Sequence, residues 1–154
     1  MSDQIVSKET LLSMSGLEFM QRILIGDVPH PPIGGVMNFH VDSVDKGHVT
    51  FVGAPQAAHS NPMGTVHGGW YGAILDSALG CSVMTMVPQG SVYTTLEYKV
   101  NIARSIPLDM PVIASATVEH AGRSTGVASA TLKGVEDGRL YATASTTCII
   151  MAMS

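Results

Sequence analysis

The chain has 154 residues, and 8 basic against 12 acidic side chains give a formal charge of −4. That length fits one domain with a sizeable core. Apolar residues make up 45% and charged ones 13%, a balance that excludes general disorder. Nonspecific DNA binding rests on Lys and Arg neutralising phosphates, so a net acidic, aromatic-poor chain implies no nucleic-acid partner. So low a charge also fits a surface partly hidden in subunit contacts.

The start, Met1 to Thr10, is polar and mixed in charge. It lacks the basic and apolar regions of a signal peptide. No apolar run approaches the roughly 20 residues of a membrane span, so no membrane partner is expected. Cys81 and Cys148 lie in apolar surroundings without any C-x-x-C. This excludes a disulfide scaffold or a zinc knuckle and fits buried thiols in a reducing cytoplasm.

Residues Ser7 to Gly26 predict one amphipathic helix. Leu17, Met20 and Leu24 fall at helical spacing, joined by Leu11, Phe19 and Ile23. Gly26 and the prolines at 29, 31 and 32 stop it. Residues 1–32 thus read as an N-terminal helical extension before a main domain over 33–154. From Ile33 to Ala54 two strands are predicted: Val36, Phe39, Val41 and Val44 lead into a turn at Asp45-Lys46-Gly47, and Val49, Phe51 and Val52 return. Gln56 to Thr65 reads as a loop, and His67 to Met86 as a helix ended by Pro88 and Gly90.

The remainder reads as strands. Val92, Leu96, Tyr98, Val100 and Ile102 alternate with more polar neighbours, as do Val112, Ala114, Ala116 and Val118. Val127 to Leu132 and Leu140 to Met151 follow, joined by a turn at Glu136-Asp137-Gly138. Two strands, one helix and four strands make an α+β pattern. The later connections are too short for crossovers, so pairing is antiparallel.

The central helix is unusual. His67 to Gly80 holds four glycines, each costing up to about 1 kcal/mol against alanine. Close approach of another backbone would offset that cost. The segment is apolar nearly all round, as in a helix buried on most sides. A helix enclosed by a curved sheet satisfies both facts. Within it lies one carboxylate, Asp76. A lone buried aspartate is expensive unless paired or functional, and desolvation would make it a stronger base. Capping by a neighbouring serine or backbone group is the inert alternative. At the helix start, His67-Gly68-Gly69 offers unpaired N–H groups and the positive end of the helix dipole, where an oxyanion could be held.

Asp76 lies nine residues after His67, which places them on opposite sides of the helix and roughly 13 Å apart. One subunit cannot easily bring both to one carbonyl. Two antiparallel copies about a two-fold axis could, and would create two equivalent sites shared between subunits.

At these residues the chain resembles hotdog-fold acyl-CoA thioesterases. Asn61-Pro62-Met63-Gly64-Thr65-Val66-His67-Gly68-Gly69, followed by Asp76, is similar to the N-x-x-G-x-x-H-G-G…D pattern of the PaaI-like, phenylacetyl-CoA thioesterase-related branch. The likeness extends through Thr94 to Asn101 and covers roughly Ile33 to Met151. It implies a hotdog domain over 33–154, with a long helix wrapped by an antiparallel sheet, homodimers that pair into homotetramers, and hydrolysis of an acyl-CoA to a free acid and CoA. No cofactor is implied beyond the CoA of the substrate. By position, Asp76 is implied as general base or nucleophile and Gly68 as oxyanion donor. His67 would support that end of the site, Asn61 would hold the water or the substrate, and Thr95 would orient the water. Gly69, Arg104, Arg123, Ser124 and Thr125 are implied in CoA binding, where an arginine fork beside hydroxyls suits phosphate.

A related branch has glutamate at the carboxylate position and threonine four residues later; here these are Asp76 and Gly80. The G-x-S-x-G elbow of other hydrolases is absent. The remaining histidines show no metal-binding spacing, and no metal is expected; His59, near Asn61, is the one to watch. Trp70 and Tyr71 read as packing. A hotdog acyl-thioester hydratase or dehydratase and a non-catalytic acyl-CoA-binding module stay open as alternatives. So does the acyl group, whether aryl-acetyl, hydroxylated aromatic or medium-chain aliphatic.

Overall fold

The computed structural model describes residues 5–154; Met1 to Gln4, part of the polar start, lie outside the described residues. The N-terminal stretch forms two helices rather than one, α1 (Lys8–Leu12) and α2 (Gly16–Ile25). The serines cause the break. The Ser13 hydroxyl donates back to the Thr10 carbonyl at 2.7 Å. Ser15 then opens a new helix by accepting the Glu18 N–H at 3.2 Å. Gly16 sits where a Cβ would strike the Met84 carbonyl, so the second helix starts in direct contact with the central one. The face it buries is Gly16, Met20 and Ile23; Leu24, predicted to share it, is exposed. Gly26 ends α2 at φ 84°.

A second difference follows at once. Val36 belongs not to a strand but to a short helix, α3 (Pro32–Met37). Pro32 suits the first helical turn, and Asn38 closes α3 in the left-handed region at φ 55°.

The sheet comprises β1 (Phe39–Asp45), β2 (His48–Gly53), β3 (Ser91–Ile102), β4 (Val112–Ala121), β5 (Thr125–Gly134) and β6 (Leu140–Ala152). All neighbours pair antiparallel in the order β1-β2-β4-β5-β6-β3. The predicted turns are present, with Gly47 at φ 79° and Gly138 at φ 64°. The loop from Gln56 contains a 3-10 turn, Ala57–His59.

The central helix α4 (Gly68–Met84) crosses one face of the sheet and touches all six strands. The strands allow this because alanines line that face: Ala114, Ala116, Ala128, Ala130, Ala142 and Ala144 are all buried. Against them α4 buries Ile74, Leu75, Ala78, Leu79 and Val83 completely. This is the hotdog arrangement that the resemblance implied. Trp70 and Tyr71 are likewise packing residues, at 1% and 2% exposure. Among the described residues no helix is long and apolar enough to cross a membrane.

Strand β3 departs from its predicted alternation. Its register with β6 shifts between Thr95 and Glu97, a bulge at Leu96. A bulge inverts which residues face inward. Before it, Tyr93 and Thr95 face α4; after it, Tyr98 and Ile102 do. Leu96 is left exposed. The Thr146 hydroxyl fills the irregularity by donating to the Glu97 carbonyl at 2.7 Å.

Candidate active site

The glycines of α4 explain themselves through β3. Gly68, Gly72, Asp76 and Gly80 recur every four residues and so form one stripe of the helix. Strand β3 runs antiparallel along that stripe. A Cβ on Gly68 would meet Ile102 at 3.6 Å, one on Gly72 the Tyr98 hydroxyl at 3.1 Å, and one on Gly80 the Tyr93 hydroxyl at 2.5 Å. The one side chain in the stripe, Asp76, meets the Thr95 hydroxyl, which donates to its Oδ1 at 3.0 Å. Three missing side chains let an edge strand lie against the helix and deliver a hydroxyl to the carboxylate. The spacing of four was present in the sequence and is the signal that composition alone missed.

Asp76 is half-buried rather than enclosed as expected. Its partner is neither a neighbouring serine nor the backbone, because Ser77 bonds instead to the Ala73 carbonyl. The carboxylate opens on a cleft of about 160 Å³ lined by Pro31, Ile33, Phe39, Phe51, Cys81 and Tyr93. His30 and His40 reach the same cleft. They arrive from the segment before α3 and from β1, without any spacing signature in the sequence.

The other half of the reading lies at the start of α4. His67 is the N-cap, and its Nδ1 accepts the Gly69 N–H at 2.8 Å. That bond makes Nδ1 an acceptor and puts the neutral ring's proton on Nε2. It also occupies the Gly69 N–H. Among the described residues nothing accepts the Gly68 N–H, and residues 67–69 are all exposed. The donor and the carboxylate are eight residues apart on one helix, about 12 Å along its axis.

The loop before the helix is self-supporting. Asn61 spends its side chain on it: Oδ1 accepts the N–H groups of Met63 and Thr65, and Nδ2 donates to the Thr65 hydroxyl at 2.8 Å. His59 accepts the Gln56 N–H through Nδ1, so its Nε2 donates to the Val36 carbonyl at 2.8 Å. Its role here is to tie the loop to α3.

The family model described as the thioesterase superfamily matches residues 63–142, more than half the chain. The chain belongs to the thioesterase superfamily. Thioester hydrolysis is the activity that membership carries. Among curated proteins none matches significantly. Among solved structures, a phenylacetic acid degradation-related protein of Ralstonia eutropha JMP134 is 28% identical, with 85% of this chain and 98% of that one covered at a TM-score of 0.77. A mutant of the phenylacetic acid degradation protein PaaI of Thermus thermophilus is 24% identical (77% and 97% covered, TM-score 0.70). A hypothetical thioesterase protein of Streptococcus pneumoniae TIGR4, solved with coenzyme A, is 23% identical (75% and 88%, 0.68).

In this thioesterase the residues assigned to CoA by resemblance fall at two ends of the fold. Arg104 follows β3, with its guanidinium 6.0 Å from the Tyr141 ring centre. Its carbonyl accepts the Tyr71 hydroxyl proton at 3.1 Å, near the start of α4. Arg123, Ser124 and Thr125 form an exposed turn closed by the Gly122 N–H on the Thr125 carbonyl. The adjoining Gly126 packs on Val83, near the end of α4. Tyr71 and Val83 are about 18 Å apart along the helix, so a single chain does not bring the two arginines together. Among the described residues no cluster of three His, Cys, Asp or Glu could hold a metal ion.

Proposed function

We propose that this thioesterase hydrolyses acyl-CoA at a site shared by two copies of the chain. The observation that carries the reading is the Thr95–Asp76 hydrogen bond at the mouth of an apolar cleft. It fixes the carboxylate through Oδ1 and leaves Oδ2 free to take a proton from water. That water attacks the thioester carbonyl, and the thiolate of CoA leaves. The developing negative charge on the carbonyl oxygen is held by the Gly68 N–H at the positive end of α4. A carboxylate base and a polarised thioester suffice without a serine nucleophile.

The Gly68 donor comes from the second copy. Strand β3 is an edge strand that exposes Leu96, Tyr98 and Ile102, and among the described residues no strand pairs with the outer side of its backbone. Pairing of two copies at this edge would set the α4 stripes side by side and bring each Gly68 to the other's Asp76. It would also bring Arg104 of one copy toward the Arg123 turn of the other. His67 serves by occupying the Gly69 N–H, which leaves Gly68 the donor that faces outward.

Two variants test the shared site. Gly68 is the first residue of α4 after an extended His67 (φ −63°, ψ 136°), which is where proline fits a helix. Gly68→Pro therefore deletes the donor and keeps the helix, and is expected to lower kcat by about 10² to 10³. Asp76→Asn deletes the base. Each variant alone is expected to release almost no thiol from acyl-CoA. Refolding the two together should restore about a quarter of wild-type activity, because half the dimers are mixed and each has one intact site. No recovery on mixing rejects the shared site. Absorbance change of an enoyl-CoA without thiol release would instead favour a hydratase.

A further inference from the structure

The cleft that holds Asp76 does not end the apolar space beside α4. A second cavity of about 230 Å³ adjoins it, lined by Leu11, Phe19, Met20, Ile23, Met84 and Val92. Pro31, Cys81 and Tyr93 line both. They form a waist between a space with the carboxylate at its mouth and a space roofed by α1 and α2. Cys81 follows Asp76 by five residues on α4 and is the smallest side chain at the waist.

We infer that the acyl group of the substrate passes this waist and lies beneath the N-terminal helices, so that α1 and α2 set which acyl chains are taken. The inference rests on the thioesterase reading of Asp76 and extends it to the substrate's chemistry. Beyond the waist the named walls are hydrocarbon and thioether. A hydroxylated aromatic ring would leave its hydroxyl unpaired there, which binding sites penalise strongly. A straight aliphatic chain meets no such penalty, and methionines and half-buried Leu11 and Phe19 can adapt to its length. The substrate class is therefore an acyl-CoA whose acyl group carries no hydroxyl and is long enough to reach from Asp76 past Cys81, as a medium-chain aliphatic group is. Each methylene buried beyond the waist adds about fourfold in binding.

Cys81 acts at the waist by size. Desolvation by burial, and secondly the Asp76 carboxylate, push its thiol up to about 12, so it is neutral at physiological pH and no nucleophile.

The test has two arms. In the first, kcat/KM is measured for acetyl- to decanoyl-CoA. Wild type is expected to favour octanoyl- over acetyl-CoA by tenfold or more. Cys81→Leu should lower the octanoyl-to-acetyl ratio of kcat/KM about tenfold, whereas Cys81→Ala should shift the optimum to longer chains. A flat length profile in wild type, or equal loss on short and long substrates in Cys81→Leu with no shift in Cys81→Ala, overturns the inference. In the second arm, octyl-CoA thioether, which cannot be hydrolysed, should slow amide exchange across residues 11–25, while CoA alone should not. Equal protection by both ligands, or none by the thioether, overturns it as well. If wild type hydrolyses no acyl-CoA, the thioesterase reading of Asp76 fails, and the exchange arm alone decides the cavity.

Discussion

One helix presents two unlike sides. On its buried side α4 offers Ile74, Ala78, Leu79 and Val83, each with no exposed surface. Toward β3 it offers Gly68, Gly72, Asp76 and Gly80, and the strand opposite is half-exposed. The first side is held by hydrophobic burial, worth roughly 1.5–3 kcal/mol for each large side chain. The second has given up side chains and gained access. The difference teaches that the buried side fixes the helix so firmly that the open side can spend its positions on a carboxylate and on closeness to an edge strand.

The sharpest way to break the comparison is to change one residue on each side. Asp76→Asn keeps an oxygen for the Thr95 hydroxyl and should leave thermal stability intact while kcat falls by about 10² to 10⁴. Leu79→Ala should do the reverse. It empties a fully buried position and should cost about 2–5 kcal/mol in urea unfolding, while the folded fraction keeps its kcat. If both variants lose stability alike, the two sides are not distinct.

The glycines sharpen it next. Alanine at 80 gains about 1 kcal/mol in helix propensity. Its Cβ, however, would lie 2.5 Å from the Tyr93 hydroxyl and 2.8 Å from the ring, and forcing Tyr93 away should leave a net loss of about 1–2 kcal/mol. Alanine at 72 meets Tyr98 at a looser 3.1 Å, which a small movement of the ring's hydroxyl end relieves. There the propensity gain should win or balance. Denaturant midpoints of the two variants, expected to move in opposite directions, check this.

This stripe also marks what sequence reading reaches. The turns at Gly47 and Gly138 and the strands around them are legible because glycine at positive φ and alternation are local signals. The His67-Gly68-Gly69…Asp76 pattern, which falls at the start of α4 and within it, is legible as a motif. The Ser13 break is not visible in the apolar pattern, which runs on through it, although Ser15-x-x-Glu18 does mark a helix start. Val36 misleads because a β-branched residue near other apolar ones outweighs the Pro32 that begins α3. The bulge at Leu96 is least visible of all, since Thr146 on another strand stabilises it. His30 and His40 reach the cleft of Asp76 only through the tertiary fold, so no spacing announces them.

The hydrogen bond across the stripe gives a smaller effect. Thr95→Val keeps shape and loses the donor, so Asp76 is no longer fixed. A bond to a charged group is worth about 1.5–3 kcal/mol, and kcat should fall about tenfold or more with KM little changed. Thr95→Ser should restore most of it. A raised KM with unchanged kcat would show that Thr95 contacts substrate rather than the carboxylate.

The smallest effect appears at alkaline pH, on the boundary between the two sides. Cys81 rises from an ordinary 9.0 to about 12, first through desolvation and then through Asp76. Tyr93 and Cys148 are also raised, both chiefly by burial. In each case the folded chain keeps a proton that the unfolded chain has already lost. The unfolded state therefore binds fewer protons above pH 9, and stability falls as pH rises from there toward 12. Well below pH 9 both states hold these protons and the groups contribute no slope. Removing Cys81 as Cys81→Ala should make the decline between about pH 9 and 10 shallower, with Cys148 supplying what remains and Tyr93 joining as pH passes its ordinary 10.0. Urea unfolding at about pH 7, 9 and 10 measures it. An unchanged slope in Cys81→Ala would mean that the thiol is well solvated, and that the waist of the apolar cleft is open to water.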